Sequence, residues 1–332
     1  MGYGKTYVIG SFNACNLSEK RASSEFALQI YNLIRHEGID LLAMQEVLSG
    51  GKPLSRIMGL LGRDWDKVWL KIPGGNNKDS REEGYAFIWN KQRLKKVDTV
   101  LKGGQKRVYE PRIFNQYKVD RNIGEKELVR NPLYGRFTPR DLGGGNFEIR
   151  IICTHIRYNG TKEKWDPSFW KMRQNEFNIL TKVLYPKLED RIYGDMMPAY
   201  TILMGDYNMN LKRNWTKPPY INQPEEGIVL IDGPNMKRII TVQDQLTTLK
   251  QPKENNPDLN IRGYANNYDH FSYDEVRLKS LNPRCRRVDV IGKKFYDRYF
   301  GDFDKYRKEI SDHIPIIIRL TPNENDLQGG DR

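Results

Sequence analysis

Residues able to do chemistry recur in this sequence at one kind of place, the end of a short apolar run. Asn13 follows Val8-Ile-Gly-Ser-Phe, Gln45-Glu46 follows Leu41-Leu-Ala-Met, and Thr154-His155 follows Ile151-Ile-Cys. Gly205-Asp206-Tyr-Asn208 follows Thr201-Ile-Leu-Met, and Ser311-Asp312-His313 leads into Ile314-Pro-Ile-Ile-Ile. One such residue is explained as a turn or a cap. Five together describe groups converging on one sheet edge, where loops build sites. Of 4 histidines, two end these motifs and His270 follows Tyr268-Asp269. His36 falls at the end of an expected helix, where the dipole favours a cation. Glu46, Asp206, Asn208 and Asp312, with Asn13 nearby, are hard oxygen donors and no Cys/His cluster accompanies them. That set suits Mg²⁺ rather than zinc, with Mn²⁺ as a substitute and Ca²⁺ as a supporting ion. Two imidazoles with Mg²⁺ and a basic surface make the inventory for phosphodiester hydrolysis. One imidazole activates water, the other protonates the leaving oxygen, and the metal neutralises phosphate charge.

The elements that must hold these groups alternate along the chain. Tyr7–Phe12, Ile39–Met44, Tyr85–Trp89 and Tyr200–Met204 read as interior strands. Phe147, Ile149, Ile151 and Cys153 alternate with Glu148 and Arg150, the pattern of a half-buried strand. Val288–Ile291 and Ile314–Leu320 are the last strands expected. Arg21–His36 carries Ala22, Phe26, Ile30, Leu33 and Ile34 on one face and stops at Gly38, an amphipathic helix with a glycine cap. Ser168–Leu184 is a second helix, with Phe169, Met172, Phe177, Leu180 and Leu184 turned inward. Strands and helices mixed in this way suggest packed sheets with helices outside. Turn-rich stretches at Gly74–Ser80, Gly143–Gly145 and Gln251–Asn260 are too short for linkers. The expectation is one domain over 1–320, followed by a flexible tail over 321–332.

The chain has 332 residues, 38% hydrophobic and 29% charged, a soluble globular composition. No run reaches the roughly 18 apolar residues of a membrane helix, so no membrane insertion is expected. The start, Met1-Gly-Tyr-Gly-Lys-Thr, shows no secretory h-region, and 3 cysteines without metal spacing fit a reducing compartment, so a cytoplasmic location is expected. Lys and Arg number 55 against 42 acids, a net charge of +13. The excess lies in two segments: residues 102–140, with 10 basic and 4 acidic side chains, and residues 277–308, with 11 and 4. Two basic segments on an otherwise neutral chain suggest a polyanion track. Charge alone leaves an acidic membrane or a plain solvated surface open.

In order, Asn13, Gln45-Glu46, Glu83 with Gly84-Tyr-Ala-Phe, Thr154-His155, Gly205–Asn208, Tyr268-Asp269 and Ser311–His313 resemble the motifs of the endonuclease/exonuclease/phosphatase superfamily. The likeness runs from residue 7 to 320, and Arg130-Asn131-Pro132 followed by Tyr134-Gly-Arg-Phe is similar to the deoxyribonuclease I branch. The resemblance implies a four-layer α/β/β/α sandwich, two mostly antiparallel sheets face to face with helices outside. It implies that Glu46 holds the catalytic metal beside Asp312 and Asn13, and that Asp206 and Asn208 contact a second metal position or the scissile phosphate. His313 would be the general base oriented by Asp269, and His155 the general acid oriented by Glu83. Arg130, with Asn208 and Tyr268, would contact phosphate. A carboxylate behind each imidazole makes chemical sense by itself, because it fixes the tautomer and stabilises the charged form.

Glu46 is followed by Val-Leu-Ser-Gly-Gly without the lysine of abasic-site endonucleases, and His155 is present, so abasic specificity is disfavoured. The position of a groove-binding tyrosine is taken by Arg81, which is then a candidate substrate contact. Met209-Asn-Leu-Lys-Arg-Asn lacks the cysteines of secreted relatives. The sequence therefore reads as a Mg²⁺-dependent DNA endonuclease leaving 5′-phosphate and 3′-hydroxyl ends. Superfamily enzymes acting on nucleotides, RNA or lipid and inositol phosphates share the same motifs and form the alternative, and a catalytically dead nucleic-acid-binding domain is the remote one.

Overall fold

The computed structural model describes residues 6–76, 82–100, 104–114, 128–140, 147–158, 167–193, 197–211, 228–231, 237–250 and 263–322. Arg81 and most of the expected tail lie outside them.

Four strands open the chain: β1 (Tyr7–Leu17), β2 (Leu41–Leu48), β3 (Trp65–Asn76) and β4 (Glu82–Asn90). Helices α1 (Ser24–Glu37) and α2 (Ser55–Leu61) fall between them. The Ser23 hydroxyl caps α1 by accepting the Phe26 N–H, and Gly38 ends it in the left-handed conformation. Short strands β5 (Leu94–Lys96), β6 (Asp98–Val100), β7 (Lys106–Val108) and β8 (Arg112–Ile113) follow. Then come β9 (Leu133–Pro139), β10 (Glu148–His155), α3 (Pro167–Asn178), α4 (Tyr185–Glu189) and β11 (Ala199–Asp206). The chain closes through β12 (Ile228–Ile231), β13 (Lys237–Val242), β14 (Asp269–Asp274), α5 (Glu275–Leu278), β15 (Arg284–Arg287), α6 (Phe303–Glu309) and β16 (Ile316–Leu320).

One sheet has the order β15-β16-β1-β2-β4-β3, and the other β12-β13-β14-β11-β10-β9-β5 with β8 paired to β9. Each contains one parallel pair, β1 with β2 and β10 with β11, among antiparallel neighbours. Three buried clusters define the layers. Phe12, Phe26, Ile30, Leu42 and Ile88 fill the space between α1 and the first sheet. Ile9, Phe87, Phe137, Ile151, Ile202 and Ile318 lie between the two sheets. Ile152, Leu180, Leu184, Tyr185 and Leu203 pack the second sheet against the α3–α4 layer. This is the expected four-layer sandwich, an α+β fold.

Three local expectations change. β10 is buried on both faces. Glu148 and Arg150 leave water as a charge cluster: Arg136 donates to Glu148 at 2.6 and 2.8 Å, and Arg150 donates to Glu148 at 2.5 Å and to the Leu188 carbonyl on α4. The second helix is interrupted. After α3, residues Ile179–Leu184 widen into a π-turn, in which the Tyr185 N–H reaches the Leu180 carbonyl. Pro186 follows at once and has no N–H to continue the regular ladder. The strand expected at Val288–Ile291 lies just before it, at β15, where Arg287 pairs with Ile316 and Arg284 with Arg319. Val288, Val290 and Ile291 are apolar because they plug the first core cluster from a turn. Among the described residues, no helix is long and apolar enough to cross a membrane.

Candidate active site

The two parallel pairs end side by side, and their last residues are the chemical ones. Asn13 stands opposite Gln45 across β1 and β2, and His155 opposite Asp206 across β10 and β11. Antiparallel β14 adds Asp269 opposite Asp206, and the turn before β16 adds Ser311–His313. The register of β1 with β2 slips between Asn13 and Leu17, and that of β2 with β4 between Met44 and Val47. Such bulges re-aim side chains at strand ends. Cys15, Asn16, Glu46 and Asn208 all have φ between 51° and 57°, so left-handed backbone in non-glycine residues gathers at this edge. Gly205 has φ 138°, and a Cβ there would stand 1.9 Å from the Thr154 carbonyl oxygen, which is why the strand carrying Asp206 needs glycine beside β10.

His313 Nδ1 donates to Asp269 Oδ2 at 2.9 Å, and its Nε2 lies 3.6 Å from Asp206 Oδ2. His155 Nε2 is also 3.6 Å from Asp206 Oδ2 and 3.6 Å from Glu46 Oε1. The backing of His155 differs from the expected dyad. Glu83 Oε1 is 3.4 Å from Nδ1, while Arg130 bridges the two residues. Arg130 Nη2 donates to Glu83 Oε2 at 2.9 Å, and Nη1 lies 2.8 and 2.9 Å from the two ring nitrogens, donating to whichever lacks hydrogen. Burial would raise the Glu83 carboxyl, but His155 and Arg130 hold it below the usual range. Burial would lower His313. Asp269, Asp206 and Asp312 outweigh it and push the imidazole well above its ordinary value. Asp206 moves up, through burial and the neighbouring Asp269.

Asn13 ties the sheets together. Its Nδ2 donates to Glu46 Oε1 at 3.2 Å and to Asp206 Oδ2 at 2.9 Å, and its Oδ1 accepts the Cys15 N–H. The Ser311 hydroxyl donates to the Asn13 carbonyl at 2.8 Å and accepts the His313 N–H at 3.0 Å. Asn208 donates Nδ2 to the Ile156 carbonyl, and its N–H to Asp206 Oδ1. Asp312 lies 3.5 Å from Arg307; burial would raise it, but His313, the Cys15 thiol and Arg307 hold it low. Glu46 and Asp312 both face Cys15, and with burial they push its thiol up. Ligand atoms of Asp206, Asp269 and His313 lie within 4.8 Å of one another. Carboxylates crowded around amide and imidazole groups, with no thiolate set, fit a hard divalent cation.

The structure thus brings Asn13, Glu46, Glu83, Arg130, His155, Asp206, Asn208, Asp269, Asp312 and His313 to one edge, with Tyr268 beside them. Burial pushes the Tyr268 hydroxyl up to about 12. Several contributors escaped sequence reasoning. The Tyr85 hydroxyl accepts the His155 N–H at 3.1 Å, and the Thr247 hydroxyl accepts the N–H groups of Tyr268 and Asp269 at 3.1 Å. Gln45 turns under the site, donating to Ser11 and to Cys153 Sγ at 3.1 Å. Arg21 holds the carbonyls of Cys15 and Ile310, joining the end of β1 to the turn that carries Asp312. Thr247 and Arg21 stand at no recognisable spacing, whereas Gln45 and Tyr85 lie inside motifs quoted above that assign them no contact. His270 is not part of the edge: it is buried behind it, with Nε2 3.0 Å from the Met209 carbonyl.

Five arginines of the basic segment 277–308 are committed within the molecule. Arg277 pairs with Asp190, Arg286 with Glu37, Arg287 with Asp289, Arg298 with Glu309 and Arg307 with Asp312. In the segment 102–140, Arg136 is buried and paired, whereas Arg130 enters the site.

The sequence matches no protein-family profile, and no curated protein is similar to it in sequence. Solved structures are similar in shape. An endonuclease/exonuclease/phosphatase family protein from Bacteroides thetaiotaomicron shares 14% identity, with 96% of this chain and 99% of that one covered and a TM-score of 0.50. A functionally unknown conserved protein from Enterococcus faecalis V583 shares 15%, with 95% and 100% covered and a TM-score of 0.52. Truncated Caenorhabditis elegans TDP2 shares 14%, with 95% and 97% covered and a TM-score of 0.49. At such identities the likeness is one of fold.

Proposed function

From a chain with the endonuclease/exonuclease/phosphatase fold, we propose a Mg²⁺-dependent phosphodiesterase that acts as an endonuclease on DNA. One observation carries the reading: two imidazoles, each backed by a carboxylate, point their Nε2 atoms at the same Asp206 oxygen from 3.6 Å. A tetrahedral phosphate placed there would meet a proton donor on one side and a proton acceptor on the other.

Glu46 and Asp312 would hold the cation, with Asn13 keeping Glu46 and Asp206 in register. When bound, the cation would offset phosphate charge and favour attack at phosphorus. His313 Nε2 takes the proton of the attacking water while Asp269 holds Nδ1–H. Asp312 is one of the carboxylates that favour the charged form of His313, so a cation held there would offset part of that charge and favour the neutral imidazole. His155 delivers a proton to the leaving 3′-oxygen. Arg130 reaches the phosphate from beside His155, and Asn208, fixed by Asp206 and Ile156, contacts its oxygens. In-line attack leaves 5′-phosphate and 3′-hydroxyl ends.

The test is a cleavage assay with supercoiled plasmid, single-stranded DNA, RNA and a phosphoinositide panel, each in Mg²⁺, Mn²⁺, Ca²⁺ and excess chelator. Mg²⁺-dependent DNA cleavage with 5′-phosphate ends is expected. Faster hydrolysis of an inositol phosphate than of any DNA, or cleavage unaffected by chelator, would overturn it.

A further inference from the structure

Beside the two histidines is a surface the proposed chemistry does not need. Tyr158, three residues beyond His155, is 56% exposed, and the Arg173 guanidinium lies 5.1 Å from its ring centroid. The chain from His155 to Tyr158 is fixed at the site edge, because the Ile156 N–H donates to the Asp206 carbonyl at 2.9 Å and the Ile156 carbonyl accepts from Asn208 Nδ2 at 2.8 Å. The charges of Tyr158 and Arg173 both act on the Tyr268 hydroxyl. The aromatic face is therefore at the mouth of the site.

Its support is built into α3. Arg173 and Glu176 stand three residues apart, on one helix face. Glu176 is buried, accepts the Val129 N–H and feels the charges of Arg130 and Arg157. One helix face thus props Tyr158 through Arg173, and fixes the Arg130 loop through Glu176. Val129, half exposed beside Arg130, adds apolar surface on the same rim. Guanidiniums alone would suffice for an inositol phosphate or a bare phosphomonoester. An aromatic ring held open to water by a cation behind it matches a planar, apolar-faced group attached to a phosphate, which is a nucleobase.

We propose that Tyr158 on Arg173 is a stacking platform for an unpaired nucleobase adjoining the scissile phosphate, so that the site takes single-stranded nucleic acid. The proposal rests on the nuclease reading above and names its substrate class. Bases in a duplex are stacked on their neighbours and cannot offer a face to the ring. Arg130, Arg157 and Arg173 supply the matching charge along the strand.

The discriminating experiment compares kcat/KM for a dT oligonucleotide, an abasic (tetrahydrofuran) strand of equal length, and the dT strand annealed to its complement. It uses the full chain and its Tyr158→Ala and Tyr158→Trp variants. The parent prefers dT over the abasic strand and over the duplex. Tyr158→Ala narrows the dT-to-abasic ratio by about 10-fold, the scale of one base stacked on an aromatic ring, and Tyr158→Trp restores it. An unchanged ratio in Tyr158→Ala, or a parent that favours duplex, overturns the platform and leaves the nuclease reading standing. Turnover of an inositol phosphate with no strand cleaved overturns both.

Discussion

His270 offers a measurable test of how the site's scaffold is held. The ring is fully buried on β14, one residue after Asp269 and opposite Gly205. Burial pulls its pKa from 6.5 down to about 4, against the carbonyls of Met209 and Asn267 and the charge of Asp206. An imidazole kept neutral in the fold and free to ionise in the unfolded chain gives stability that is fully present above pH 6.5. That stability is lost as the pH falls through 6.5 toward 4. At about 1.4 kcal/mol per pH unit, the window is worth roughly 3 kcal/mol. Glu176 works in the opposite sense, because burial raises its carboxyl to about 7. It binds a proton sooner in the folded than in the unfolded state, and so adds stability as the pH falls from 7 to its unfolded value near 4.5. Comparing the parent with His270→Gln cancels Glu176, which both proteins carry, and Gln retains a donor for Met209. Urea unfolding at pH 7 and pH 4.5 should show a parent that loses about 2–3 kcal/mol more than His270→Gln. Equal losses, within about 0.5 kcal/mol, would refute the reasoning.

The other predictions concern the site and its frame. Glu46→Ala and Asp312→Ala should each lower Mg²⁺-dependent turnover by orders of magnitude with an unchanged circular-dichroism spectrum, as should chelation of the parent. His155→Ala and His313→Ala should each cost at least about 10²-fold in kcat; wild-type turnover by His155→Ala would remove its role as acid. Gly205→Ala forces a Cβ onto the Thr154 carbonyl oxygen at φ 138°, and should cost about 3 kcal/mol or more, read as a lowered Tm. Arg286→Ala deprives the buried Glu37 of one partner, and should cost about 1 kcal/mol without altering the salt dependence of DNA binding measured in Ca²⁺. Arg130→Ala, by contrast, should lower both binding and turnover.

The site was legible because its chemistry sits where strands stop. Glu46, His155, Asp206 and His313 stand out against apolar runs, and their sequence order fixes which strand ends must meet. Arg130 was singled out in the sequence, but its bridge between Glu83 and His155 was not visible there, because that contact depends on how a loop crosses the sheet. Tyr85, Thr247 and Arg21 act through one or two hydrogen bonds to backbone, which leave no periodic trace. The strand at β10 was misjudged on one face, since charged residues normally signal water. Arg136, Glu148 and Arg150 satisfy one another instead. The strand near residue 288 was displaced because apolar residues in a plugging turn imitate an interior strand. Charge runs proved least informative, as five arginines of 277–308 are engaged by acids, two of them, Arg277 and Arg286, by Asp190 and Glu37 far away in the chain.

The bonds that close the site join residues remote in the chain. Asn13 reaches Asp206 across 193 positions, and Ser311 reaches Asn13 across 298. Contacts so distant cannot form before the last segments exist, since each requires both ends of a long loop to be present. During synthesis the first sheet lacks β16 until residues 316–320 emerge, and His313 has no Asp269-bound position before then. The candidate site is consequently incomplete on a growing chain, and its two histidines can face Asp206 together only once β16 is in place.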